Sequence, residues 1–143
     1  MTTTTAPPAS EERNGWPVVG LFLDALTRRD FAALQLCLDD EVRFRALVPR
    51  GPFELTGSTD AADRFRLWFG GEDYFEVVDA SVGQLGSKLY ARWRIRMVAA
   101  DDPDSARVVE QHLFTTGTDR VETLDLLCSG FHAESAAPTC PLP

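Results

Sequence analysis

The sequence predicts an α+β fold in which three N-terminal helices pack on one face of a curved, mostly antiparallel sheet. Apolar residues recur at helical spacing in the first half of the chain, up to Phe69. From Tyr74 onward, long segments alternate apolar and polar residues, and short polar turns separate them, as in antiparallel strands. Helices and strands that are segregated along a chain favour α+β over an alternating α/β architecture.

Length and composition indicate a single soluble domain. The chain has 143 residues, 44% of them hydrophobic, which is enough to build one core or to enclose a cavity. Its 14 basic and 22 acidic residues leave a net charge of −8, which argues against nucleic acid or an anionic membrane as a partner. No apolar run approaches the ~20 residues of a membrane span. The three cysteines lack CxxC spacing, so we expect free thiols and a cytoplasmic location.

The domain is expected to span residues 14–134. Residues 1–13 are rich in threonine, alanine and proline, and residues 135–143 are similar in character. Such segments bury too little apolar surface to offset the entropy of ordering, so we expect flexible tails at both ends.

Three helices are predicted before residue 70. The first begins at Trp16-Pro17, since proline is tolerated in the first turn of a helix. Asp30 is a suitable N-cap for a second helix over residues 31–38. A third helix is predicted over residues 60–69, and Gly70-Gly71 ends it. An acidic turn at residues 39–41 separates the second helix from the first strand.

Six strands are predicted, over residues 42–48, 53–56, 74–85 and 89–99 and in a final hairpin between residues 108 and 130. In the fourth strand one row contains Ala91, Trp93, Ile95 and Met97, and the opposite row contains Arg92, Arg94 and Arg96.

The final hairpin brings acid, imidazole and thiol groups to a mostly apolar surface. Period-2 alternation places Val108, Glu110, His112 and Phe114 on one face of its first strand and Val109, Gln111 and Leu113 on the other. On its second strand, Leu124, Leu126 and Cys128 share a face, with Asp125 opposite. The rows that begin with Val108 and Leu124 are expected to line either a pocket or a packed core.

The order of elements resembles the SnoaL-like branch of the nuclear transport factor 2-like superfamily. The segments that carry the resemblance are VVGLFLDALTRRDFAALQLCLDDEVRF, ELTGSTDAADRFRLWF and VEQHLFTTGTDRVETLDLLCSGF. The resemblance covers residues 16–134 and implies a cone-shaped α+β barrel with a pocket between sheet and helices. It also implies chemistry of the kind done by ketosteroid isomerase, limonene epoxide hydrolase or polyketide cyclases.

The resemblance implies a role for Glu110, which stands where the steroid isomerase has its oxyanion-stabilising aspartic acid. Two other positions of that enzyme are not matched. Its general-base aspartate falls near residues 44–46, which are Phe-Arg-Ala here, and its oxyanion tyrosine falls near Phe22. The Arg/Asp pair of the epoxide hydrolase falls near residues 89–91, which are Leu-Tyr-Ala.

Glu110, His112 and Cys128 are the predicted catalytic residues. A carboxylate in an apolar pocket has a raised pKa, and a neighbouring imidazole could exchange protons with it. Cys128 could act as a nucleophile if His112 activated it. The alternatives are a structural Glu–His pair and a buried cysteine that behaves as a small hydrophobe. No HExxH or similar spacing occurs, so neither a metal nor a cofactor is expected.

Large apolar side chains are predicted to form the substrate pocket, or alternatively to fill the core. These residues are Phe22, Phe44, Phe65, Trp68, Trp93, Ile95, Met97, Phe114, Leu124 and Leu126. The outer sheet face, with Arg92, Arg94, Arg96, Gln111 and Asp125, is expected to form a homodimer, as is common in the superfamily. A solvated face and an anion site are the alternatives.

Together these observations predict a cofactor-independent isomerase, cyclase, dehydratase or hydrolase that acts on an apolar, polyketide- or terpene-like molecule. A non-catalytic ligand-binding or homodimerising module with the same fold is the alternative. A buried, unpaired Glu110 that solvent can reach would favour the enzyme. A Glu110 sealed in a salt bridge, with Trp93 and Phe114 occupying the cavity, would favour the module.

Overall fold

A computed structural model describes residues 16–134, with side chains from residue 18 onward. The predicted tails at residues 1–13 and 135–143 lie outside the described residues. The described part contains three helices, α1 (Trp16–Thr27), α2 (Phe31–Leu36) and α3 (Ser58–Phe69). None of these three helices is long and apolar enough to cross a membrane.

Seven strands in the described part form one curved sheet. They are β1 (Leu38–Val48), β2 (Gly51–Thr56), β3 (Tyr74–Leu85), β4 (Lys88–Val98), β5 (Arg107–Thr116), β6 (Val121–Cys128) and β7 (His132–Ala133). The strand order is β2-β1-β6-β5-β4-β3, and the short β7 pairs with β5. The β1–β6 pair is parallel and the other pairs are antiparallel, so the predicted α+β fold is confirmed, with a sheet that stays open.

The junction between α2 and β1 differs from the prediction. The acidic residues 39–41 were expected to form a turn, but β1 already begins at Leu38. The register with β6 shifts between the Leu38–Val121 pair and the Arg43–Thr123 pair, so the strand contains an irregularity there. Such a bulge lets an acidic stretch with poor strand propensity remain inside a strand.

Asp30 is the predicted cap of α2. Its carboxylate accepts a hydrogen bond from the backbone N–H of Ala33 at 3.1 Å. This hydrogen bond lowers the pKa of Asp30, and Arg28, which donates to the same carboxylate, adds to the effect. The cap satisfies one of the N–H groups that the start of a helix leaves without a partner.

The core between the helices and the sheet is built from aromatic rings in contact. Phe65 of α3 stacks on Phe44 of β1, with 5.4 Å between ring centroids and 5° between planes. It also meets Phe22 of α1 edge-on at 5.5 Å. Trp93 of β4 lies 6.1 Å from Phe22. All four side chains are fully buried, so α1, α3 and the sheet are held to one another through the same cluster.

The core-facing row of β4 is the one that the sequence predicts, with Ala91, Trp93, Ile95 and Met97 buried. The core-facing row of β5 is the opposite of the prediction. Val109, Gln111 and Leu113 are completely buried, whereas Glu110 and His112 lie on the outer face. The pairing with β4 accounts for this, because Gln111 lies opposite Trp93 and Glu110 lies opposite Arg94. Opposing residues in a sheet share a face, so a buried Trp93 brings Gln111 inside.

Candidate functional site

A cavity of about 540 Å³ opens where the ends of the strands meet α3. Ligand pockets commonly occupy ~300–1,000 Å³, so it could hold a small organic molecule. We call it the mouth pocket. Its lining residues are Val48, Pro49, Arg50, Phe53, Arg64, Trp68, Cys128, Ser129, Gly130, Phe131 and His132.

Three segments bring these side chains together. The β1–β2 turn contributes Pro49 and Arg50, and α3 contributes Arg64 and Trp68, which lie one helical turn apart and so point to the same side. The segment between β6 and β7 closes the pocket, and Gly130 sets its path. Gly130 has φ +84, and a Cβ there would lie 2.7 Å from Pro49 Cγ, so a larger residue would push this segment away from the turn.

Aromatic rings form one wall of the mouth pocket. Phe53 and Trp68 are half-buried, with 6.3 Å between ring centroids. Phe53 also contacts the buried Phe44 edge-on at 5.5 Å, which ties the wall to the core. Phe131, 36% exposed, lies 6.2 Å from Phe69. A flat apolar molecule could therefore contact several rings that the core already holds in place.

The polar groups of the mouth pocket are mostly basic. The guanidinium of Arg64 lies 4.1 Å from the centre of the Phe53 ring and 6.0 Å from that of Trp68. Arg50 is exposed at the opening. His132 Nε2 lies 2.8 Å from the backbone oxygen of Ser129, and since a carbonyl only accepts, that nitrogen carries the proton.

Behind the pocket, a short chain of hydrogen bonds runs into the core. The indole N–H of Trp93 donates to Oε1 of Gln111 at 2.9 Å. The amide nitrogen of Gln111 donates in turn to the sulfur of Cys128 at 3.3 Å, and the backbone N–H of Gly130 donates to the same sulfur at 3.4 Å. The buried side-chain groups of Trp93 and Gln111 are thus hydrogen-bonded. Cys128, which accepts from Gln111, connects the core to the pocket.

Two of the three predicted catalytic residues lie elsewhere. Glu110 and His112 are on the outer face of the sheet, so their expected position in a pocket between sheet and helices is wrong. With Cys128 they line a separate cavity of about 620 Å³. His112 Nε2 lies 2.6 Å from Glu110 Oε2, and His112 Nδ1 lies 2.7 Å from the hydroxyl of Tyr90. Arg94 donates to the other oxygen of Glu110 at 2.9 Å. The four side chains form one connected surface network.

The electrostatics of Glu110 also differ from the expectation of a raised pKa. The hydrogen bond from His112 lowers the pKa of Glu110, and the guanidinium of Arg94 adds to this, while partial burial acts in the opposite direction. A carboxylate held ionised in this way is poorly suited to donate a proton near neutral pH. The arrangement is the structural Glu–His pair that the sequence left open as an alternative.

The predicted pocket residues fall into three groups. Those buried in the core are Phe22, Phe44, Phe65, Trp93, Ile95, Met97, Leu124 and Leu126. Trp68 lines the mouth pocket, and so does Cys128, which was predicted to be catalytic. Phe114 lies on the outer face beside Tyr90, with 5.0 Å between ring centroids, which corrects its predicted position in the pocket.

The predicted outer face also needs one correction, because Gln111 is buried. Its arginines do lie outward, but each is already paired within the chain. Arg92 donates to Asp79 at 2.7 Å, and Arg96 donates to Glu134 at 2.9 Å. Asp125 likewise lies outward and accepts from Arg45 at 2.8 Å. The face therefore carries alternating, mutually neutralised charges and no surplus of arginine.

Sequence reasoning missed Phe53, Arg64 and Phe131. The helical spacing of Arg64 and Trp68 was a usable signal, because residues four apart share one side of a helix. Phe131 follows the last long strand and has no periodic pattern, so its position depends on the backbone at Gly130.

Among residues 16–134, no three His, Cys, Asp or Glu side chains come together in a way that could hold a metal ion.

No protein-family model and no curated protein matches the chain. Similar folds are found among solved structures. An LEH-like epoxide hydrolase from M. tuberculosis has a TM-score of 0.59 and 17% identity, over 79% of this chain and 80% of that one. A protein from Kribbella flavida, provisionally named a ketosteroid isomerase, has a TM-score of 0.57 and 16% identity, over 92% of both chains.

A third similar structure is described as a nuclear transport factor 2-like protein of unknown function, from Cytophaga hutchinsonii. Its TM-score is 0.57 and its identity 16%, over 78% of this chain and 96% of that one. At such identities the likeness concerns the path of the backbone and the order of its elements. Neighbours with one fold thus include enzymes and a protein without an assigned activity.

The Glu110 network yields a prediction about stability. Because the pKa of Glu110 is lowered in the folded state, the carboxylate stabilises the fold above its ordinary value of 4.5. This contribution is lost as the pH falls through the lowered value. We expect Glu110→Gln to reduce the free energy of unfolding by about 0.5–1 kcal/mol near pH 7, in urea titrations.

The difference between the wild type and Glu110→Gln should shrink steadily as the same titrations are repeated below about pH 4.5. Glu122→Gln is the control, since Glu122 is exposed and has no hydrogen-bond partner among the described side chains. If the reduction in the free energy of unfolding stays constant down to the lowest pH, Glu110 stabilises the fold through packing and not through its charge.

Proposed function

We propose, from the nuclear transport factor 2-like fold that the chain shares with these structures, that the protein binds a small, flat, apolar organic molecule in the mouth pocket. The observation that carries the proposal is the aromatic wall of Phe53, Trp68 and Phe131 around a cavity of about 540 Å³. The centre of the cone is filled by side chains without exposed surface, which makes the mouth the favoured place for a ligand.

Binding without catalysis agrees with the position of the acid and base groups. Glu110 is held in a salt bridge with Arg94, and His112 is held by Glu110 and Tyr90, all on the far side of the sheet. Glu110 and His112 both line a separate cavity of about 620 Å³, and neither lines the mouth pocket. The non-catalytic module that the sequence left open as an alternative is therefore the better supported reading.

A cofactor-independent enzyme of the isomerase, cyclase, dehydratase or hydrolase kind is the second candidate. Cys128 favours it, because its thiol lines the mouth pocket and is the one predicted catalytic group there. For this candidate, Cys128→Ala should abolish turnover of a substrate while leaving ligand affinity intact. Loss of turnover in Glu110→Gln would instead indicate that the reaction takes place at the outer face of the sheet.

The binding proposal can be tested with N-phenylnaphthylamine, a neutral aromatic dye that fluoresces in apolar sites. We expect saturable binding to the wild type, and a rise in Kd of about tenfold in Trp68→Ala and in Phe131→Ala, because each removes part of the wall. Phe131 is partly exposed beyond the last long strand, so its truncation should leave the fold intact.

The matched control for the dye experiment is Phe114→Ala, which removes a half-buried ring from the opposite face of the sheet. It should leave the Kd of the dye unchanged. No saturable binding to the wild type, or an equal loss of affinity in Phe114→Ala, would contradict the assignment of the mouth pocket. Circular dichroism establishes that each variant is folded.

We further propose that two copies of the chain associate through the outer sheet face. An apolar groove of about 640 Å³ crosses this face, and we call its exposed part the outer apolar strip, which contains Leu47, Pro52, Phe114 and Leu127. Leu47 and Leu127 are 52% and 51% exposed. Paired charges of both signs flank the strip, so a two-fold axis can oppose unlike charges while burying the leucines.

The dimer proposal predicts that Leu127→Arg yields a monomer in sedimentation velocity, because it places a charge in the centre of the outer apolar strip. Leu36→Arg is the matched control, since Leu36 is an exposed leucine on α2, and it should leave the dimer intact. A monomeric wild type, or dissociation by both substitutions, would contradict the proposal.

A further inference from the structure

The charge around the mouth pocket is opposite to that of the whole chain. The chain has a net charge of −8, with 22 acidic residues. Yet the described residues that line the mouth pocket include Arg50, Arg64 and His132 and no aspartate or glutamate. Arg50 and Arg64 are the charged side chains that line the mouth pocket. The electrostatic potential there therefore favours an anionic ligand, although the whole chain is acidic.

Arg64 differs from most arginines of the described chain. Those with a carboxylate partner are Arg28, Arg45, Arg66, Arg92, Arg94, Arg96, Arg107 and Arg120. Arg64 instead lies over the Phe53 ring, and no carboxylate of the described residues pairs with it. Its guanidinium is thus oriented by an aromatic face, while its N–H groups remain available to a further acceptor.

From this arrangement we propose that the ligand of the mouth pocket is an aromatic acid, with a flat apolar body against Trp68 and Phe131 and a carboxylate paired with Arg64. The inference rests on the proposed ligand-binding function and adds the charge of the ligand to it. A guanidinium can donate two parallel hydrogen bonds to a carboxylate, which gives both affinity and a fixed orientation. Arg50, at the opening, adds long-range attraction.

The experiment compares naphthoate with naphthamide, which have the same ring system and nearly the same shape but differ in charge. Each is titrated as a competitor against bound N-phenylnaphthylamine. We expect naphthoate to bind the wild type about tenfold more tightly than naphthamide, because hydrogen bonds to an ionised acceptor are the stronger kind. Arg64→Gln should remove this preference, so that naphthoate and naphthamide bind with equal Kd.

Arg66→Gln is the matched control. Arg66 lies two residues further along α3, is bonded to Asp63 and lies over the Phe31 ring, away from the mouth pocket. It should keep the full preference for naphthoate. Failure of the neutral dye to bind the wild type would overturn the binding proposal itself. Dye binding with equal affinities for naphthoate and naphthamide, or a preference that survives in Arg64→Gln, would overturn the assignment of Arg64 to an anionic ligand.

Discussion

The pairing of β4 with β5 determines which side chains of both strands face the helices. Trp93 lies opposite Gln111, and the hydrogen bond between them is completely buried. The side chain of Gln111 hydrogen-bonds with two residues, since its oxygen accepts from the indole of Trp93 and its nitrogen donates to the sulfur of Cys128. Shifting β5 by one residue would bury Glu110 without a counter-charge and leave the indole N–H of Trp93 without a partner, at a cost of several kcal/mol.

This register also determines which face of the sheet is apolar and packs on the helices, and which face carries the charged residues. The inner face carries the apolar cluster that joins the helices to the sheet, and its packing fills the centre of the cone. Space for a ligand remains at the mouth, where the strands end and Trp68 is only half-buried. The outer face receives the charged residues, which neutralise one another in pairs such as Arg94 with Glu110. The proposed ligand binding and the proposed self-association therefore use different surfaces.

The fold could be predicted from the sequence, because helical and strand periodicities are local properties. The row of Trp93 was also predictable, since arginines occupy three successive alternate positions, 92, 94 and 96. The orientation of β5 was not, because both of its rows are mixed, and period-2 alternation cannot say which of Glu110 or Gln111 faces inward. Cross-strand charge pairing was the usable signal, as an outward Arg94 is best opposed by an acid. The mouth pocket depends on Gly130, whose backbone conformation no side-chain pattern reveals.

The central claim, that a ligand binds at the mouth and not at the outer acid–base network, is tested most directly by the NMR spectrum of the ¹⁵N-labelled protein. N-Phenylnaphthylamine should shift the indole N–H signal of Trp68 and the backbone amide of Gly130. The signals of Tyr90 and His112 should stay in place, because neither residue lines the mouth pocket. Shifts confined to Tyr90 and His112, with Trp68 unchanged, would contradict ligand binding at the mouth pocket.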